Sequence, residues 1–64
     1  MADEFSYHEV LDRASIIADM FDEQILQHEA MEEQPEMKKE AEEICGLLHD
    51  FYQHWGSVRH EKFG

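Results

Sequence analysis

The sequence predicts an all-α protein, an antiparallel helical hairpin that pairs with a second copy of itself into a four-helix bundle. Apolar residues recur at alternating spacings of four and three over two long stretches, which is typical of packed helices. Pro35 separates the two stretches, and a proline ends one helix more readily than it continues it. The apolar arc of the first stretch spans about 200°, wider than one neighbouring helix covers. A homodimer is the economical way to bury the remainder. The alternatives are a monomer with a third short helix formed by the tail, or a hairpin that docks its spare face on another protein.

The first helix is predicted over residues 6–33. Ser6 is followed three residues later by Glu9, which is a capping box at a helix start. No Gly or Pro interrupts residues 6–34, so nothing in the composition indicates an earlier end.

The second helix is predicted over residues 35–56. Pro35 suits the first turn of a helix, and Gly56 is a natural stop because glycine accepts the backbone geometry that follows a helix end. Residues 57–64 are then a short tail, and residues 1–64 form a single domain. The seam expected to hold the hairpin and the dimer together comprises Leu11, Phe21, Ile25, Ile44, Leu48, Phe51 and Trp55.

Length and composition exclude several classes of protein. A chain of 64 residues allows one small domain, and a narrow bundle of two helices offers no pocket for catalysis. We therefore expect a protein that is not an enzyme and needs no cofactor. No apolar run is long enough for a membrane span, and the single cysteine, Cys45, cannot form an internal disulfide. These features suggest a cytoplasmic protein.

The negative charge is concentrated in the first half of the chain. Residues 1–36 hold eleven acidic residues and one basic residue, whereas residues 37–64 hold five acidic and four basic residues. The corresponding charges are −10 and −1, out of a total of −11. This balance makes direct nucleic-acid binding unlikely and favours a basic protein partner, which a row of carboxylates would attract. The expected partner-binding residues are Asp12, Asp19, Asp22, Leu26, Glu29 and Glu33, with Leu26 as an exposed apolar anchor.

One stretch of the second helix resembles a known family. Residues 41–50, with Ile44-Cys45 followed by a Leu-His-Asp run, look like the second helix of the Rop (Rom) family. That family comprises small dimeric helical hairpins that bind plasmid RNA kissing loops through the first helix. The resemblance implies the hairpin and the dimer. The corresponding stripe of the first helix is acidic here and departs from the family's RNA-binding face.

Three functions follow as alternatives. The first is a small acidic regulatory protein, of the kind that phages and plasmids encode as accessory factors, which binds a basic protein such as one that itself binds nucleic acid. The second is a Rop-like RNA-binding regulator. The third is a metal-binding bundle around Cys45 and His49, which stand four residues apart on one helix. A structural zinc site has four ligands, so Cys45 and His49 could form one only if a second copy of the chain supplied the other two. We therefore expect no metal.

Overall fold

A computed structural model describes residues 2–64 and shows two helices packed as a hairpin. The first helix, α1, spans Glu4–Phe21 and continues into a π-helical turn over Asp22–Leu26. A short 3₁₀ turn follows over Glu29–Glu33, and the second helix, α2, spans Pro35–Phe63. The described residues include no strand, and the molecule is a rod of 45 × 16 × 15 Å. The prediction of an all-α hairpin is confirmed.

The start of α1 lies earlier than predicted, because Asp3 rather than Ser6 caps it. The Asp3 side chain accepts a hydrogen bond from the Ser6 backbone N–H at 2.9 Å. This bond, with help from the Ser6 hydroxyl, holds the pKa of Asp3 below its ordinary value. The predicted capping box therefore lies inside the first turn. Asp3 is the N-cap, because its side chain accepts the hydrogen bond from the Ser6 backbone N–H.

The end of α1 also differs from the prediction, which continued the helix to residue 33. The Gln27 backbone N–H donates to the Asp22 carbonyl at 2.9 Å, which closes a wider turn than that of an α-helix. The backbone of His28 is then extended, with φ −67° and ψ 139°. The His28 Nδ1 accepts the Ala30 N–H at 3.0 Å and thereby caps the 3₁₀ turn.

The second helix begins at Pro35, as predicted, but it does not stop at Gly56. It continues to Phe63, so the predicted tail over residues 57–64 is helical up to its last residue. Contacts with the start of α1 account for this extension. Arg59 Nη2 lies 3.3 Å from Glu4 Oε1, and the Phe63 ring meets the Tyr7 ring edge-on at 5.1 Å. The additional turns of α2 therefore pack against the first turn of α1.

The core of a single hairpin is small. Only Ala18, Ala41 and Cys45 are buried among the residues described. The predicted seam residues Leu11, Phe21, Leu48 and Trp55 are half-buried between the helices. In contrast, Ile25, Ile44 and Phe51 are exposed, so these three do not form part of the seam within one chain. A hairpin with so little buried apolar area has a marginal core.

Candidate protein interaction surfaces

Exposed apolar side chains form two regular lines along the hairpin. An α-helix turns by about 100° per residue. The number of residues that separates a position from the buried Ala18 on α1, or from the buried Ala41 on α2, therefore gives the direction in which that position faces. Because the helices are antiparallel, both lines lie on the same side of the hairpin. We call this side the apolar face. It comprises Val10, Ile17 and Ile25 on α1 and Met37, Ile44, Phe51 and Val58 on α2, all of them exposed.

The π-helical turn determines which residues join this face. Each residue of a π-helix advances by a smaller angle than in an α-helix, so one additional residue is accommodated between Phe21 and Gln27. Leu26 is consequently half-buried, whereas Ile25 is exposed. The sequence prediction of Leu26 as an exposed anchor is therefore wrong, and Ile25, predicted in the seam of the hairpin and the dimer, does not lie between the helices of one chain. The prediction assumed an unbroken α-helix.

A shallow apolar depression lies beside the turn, on the α1 half of the apolar face. It is lined by Ile17, Met20, Phe21, Gln24 and Ile25. The depression is open to solvent and almost free of polar atoms. It can accept an aliphatic or aromatic side chain from another molecule, but it provides no group for chemistry on a substrate.

The opposite side of the hairpin carries carboxylates, and we call it the acidic face. Helical geometry places Asp12 and Asp19 of α1 there, with Glu23 of the π-helical turn and Glu42 of α2, and all four are exposed. The two apolar lines lie opposite this side, although the exposed Phe5 lies on it near the start of α1. Glu23 and Glu42 were not among the predicted partner-binding residues. The antiparallel pairing of the helices would have indicated Glu42, and Glu23 would have been indicated by its position four residues after Asp19.

The remaining predicted partner-binding residues lie elsewhere. Asp22 is half-buried, and its Oδ2 accepts a hydrogen bond from Gln27 Nε2 at 3.2 Å. Glu29 and Glu33 are exposed but belong to the 3₁₀ turn rather than to α1. The predicted ladder is thus divided into an acidic face on the helices and a separate acidic turn.

The described basic side chains form their ion pairs away from the acidic face. Three ion pairs occur among residues 2–64: Arg13 with Glu9 at 3.3 Å, Lys38 with Glu32 at 2.7 Å, and Arg59 with Glu4 at 3.3 Å. The bond to Glu32 raises the pKa of the Lys38 ammonium. None of these pairs uses a carboxylate of the acidic face. The charge of Glu42 also raises the pKa of Lys38, so Asp12, Asp19 and Glu23 are the carboxylates most available to a basic partner.

An aromatic cluster closes the end of the hairpin away from the turn. The Trp55 Nε1 donates a hydrogen bond to the Tyr7 carbonyl oxygen at 2.7 Å. The two rings stack with their centroids 5.0 Å apart, and Lys62 Nζ lies 5.0 Å from the centre of the Tyr7 ring. These contacts tie the start of α1 to the end of α2, so we interpret the cluster as a structural clasp.

The metal-binding alternative gains no support from a single chain. Across residues 2–64, no three His, Cys, Asp or Glu side chains converge on one point that could hold an ion. Cys45 is buried between the helices as a small apolar side chain, and His49 is exposed.

Neither helix of the described part combines the length and apolarity needed to cross a membrane.

No protein-family model, curated protein or solved structure matches this chain. The resemblance of residues 41–50 to the Rop family therefore stays a prediction. The functional argument rests on the two faces of the hairpin.

Proposed function

We propose that this chain is a small acidic interaction protein without enzymatic activity, which binds a basic protein through its acidic face. The partner's basic surface is of the kind that binds nucleic acid, and the carboxylates occupy it in place of the phosphate backbone. Such a protein acts as an accessory regulator in the cytoplasm, in the manner of phage- and plasmid-encoded factors. It works as a homodimer.

The separation of charge from apolar surface is the observation that carries this proposal. Asp12, Asp19, Glu23 and Glu42 lie on one side of the rod, free of ion pairs with the described basic residues. The exposed apolar lines lie on the other side. A charge that served solubility alone would not need to be segregated in this way, since scattered charges keep a protein in solution equally well.

The sparse core supports the homodimer. Among residues 2–64, one hairpin buries only Ala18, Ala41 and Cys45, which is little for an independent fold. A second copy would cover apolar side chains that otherwise face water. The dimer leaves one acidic face on each outer side, so two partner molecules bind per dimer.

The proposal is tested by capture from lysate of the source cells at low salt, with and without nuclease, followed by elution with salt. The decisive comparison is between two double variants of equal charge. Asp12→Lys with Asp19→Lys reverses the acidic face, whereas Glu43→Lys with Glu61→Lys reverses exposed charges on the outer edge of α2. Each pair changes the formal charge from −11 to −7.

We expect the first variant to lose the basic protein and the second to retain it, even though both carry the same net charge. Salt should release the partner from the unaltered chain, because screening weakens exposed charge pairs. Equal loss from both variants would show that net charge alone governs capture, which contradicts a specific acidic face. RNA in the eluate, or capture abolished by nuclease, would favour the Rop-like alternative instead.

A further inference from the structure

We propose that a second copy of this chain covers the apolar face, so that the two-fold interface is formed by the lines Val10–Ile17–Ile25 and Met37–Ile44–Phe51–Val58. This inference rests on the homodimer of the proposed function and adds the surface through which it forms. The interface is therefore distinct from the seam within each hairpin, where Ala18, Ala41 and Cys45 are buried.

The spacing of the exposed residues matches helices that pack along their length. Met37, Ile44, Phe51 and Val58 follow one another at intervals of seven residues, as do Val10 and Ile17. Ile25 follows Ile17 by eight residues, and the π-helical turn accommodates the additional one, so Ile25 stays in line. A sustained seven-residue interval presents knobs and holes to another helix with the same interval. A second copy of the chain has that interval on both helices.

The hairpin exposes more surface than a folded monomer of its mass, and the excess matches what one further copy of the chain would bury. The hairpin exposes 5200 Å² for a mass of 7.6 kDa, whereas a folded monomer of that mass exposes about 4,300 Å². The difference of about 900 Å² is close to the roughly 800 Å² that each partner buries in a stable protein interface. One copy seated on the apolar face accounts for it.

Charge also favours a second copy at this face. Each copy carries −11, so two copies repel wherever their carboxylates meet. The seven residues of the two lines are uncharged, and the acidic face lies on the far side of each hairpin. Contact through the apolar faces therefore keeps the acidic faces of the two copies furthest apart, while a basic partner is drawn to the other side.

Two adjacent isoleucines provide a matched test. Ile17 is 55% exposed and belongs to the apolar face, whereas Ile16 is 49% exposed and points to the back of α1. The same substitution at each position, Ile17→Glu and Ile16→Glu, adds the same charge to the same helix. Sedimentation equilibrium of the full chain measures the dimer dissociation constant, and far-ultraviolet circular dichroism reports whether the helices persist.

We expect the unaltered chain to be a dimer and Ile17→Glu to raise its dissociation constant on the order of 1,000-fold, since both copies lose a buried side chain. Ile16→Glu should change it by less than about threefold. Val58→Glu, near the end of α2 on the same face, should dissociate the dimer too and serves if Ile17→Glu reduces helicity. A dimer insensitive to Ile17→Glu and Val58→Glu, or equally sensitive to Ile16→Glu, would overturn this interface alone. A monomeric unaltered chain would overturn the homodimer as well.

Discussion

The clasp at Trp55 predicts a measurable loss of stability from a substitution that preserves an aromatic ring. Trp55→Phe removes the Nε1 donor of the 2.7 Å bond to the Tyr7 carbonyl oxygen. A net hydrogen bond is worth about 1 kcal/mol, and the smaller ring gives up roughly 0.5 kcal/mol of stacking and buried area. The carbonyl keeps its helical N–H partner, because residue 11 bonds to it within α1. No orphaned acceptor adds to the cost.

We therefore expect Trp55→Phe to lower the free energy of unfolding by about 1–2 kcal/mol. For a domain of this size each kcal/mol corresponds to roughly 4–8 °C in melting temperature. Urea denaturation followed by circular dichroism at 222 nm measures the change, at one fixed protein concentration because dimerisation contributes to stability. Tyr52→Phe, at an exposed position on the same helix, is the control and should have little effect. A Trp55→Phe variant as stable as the unaltered chain would mean that the clasp is open in solution.

Two further predictions concern the ends of α1. Asp3 has a lowered pKa in the folded chain, so its capping contribution is present above the ordinary value of 3.8 and is lost as the pH falls through the folded value. Asp3→Asn keeps an acceptor that does not titrate, and its melting temperature should therefore fall less between pH 7 and pH 2 than that of the unaltered chain; an equal fall would refute the cap. Deleting Gln24 should turn the π-helical turn into an α-helical one and leave Leu26 facing α2, with a stability change within about 1 kcal/mol. Deleting Ser15 from regular helix should instead rotate all that follows and abolish cooperative unfolding, and equal damage from both deletions would contradict the role of the turn.

The hairpin could be predicted from the sequence because its determinants are local. The four-three spacing of apolar residues indicates helices, and Pro35 marks the start of the second helix through its own covalent geometry. The concentration of acid in the first half of the chain also identified α1 as a charged surface. Two of the residues predicted on that surface, Asp12 and Asp19, lie on the acidic face.

The errors lie where tertiary contacts outweigh local preference. Gly56 has a helix-stopping tendency worth only about 1 kcal/mol, and the contacts of Arg59 and Phe63 with α1 are enough to extend α2 past it. The π-helical turn has no sequence signature of the kind that proline provides. Its five residues, Asp22–Leu26, read as ordinary α-helix. One additional residue in this turn is enough to make Leu26 half-buried and Ile25 exposed in the single chain.

This turn explains how one short helix serves two surfaces. In a regular α-helix, Ile25 would lie between the helices, and Leu26 would interrupt the acidic face with an apolar side chain. The wider turn rotates both residues. Leu26 becomes half-buried, and Ile25 extends the apolar line of Val10 and Ile17. The separation of apolar from acidic surface, on which both proposals depend, therefore results from a local feature of the backbone and not from the periodicity of the sequence alone.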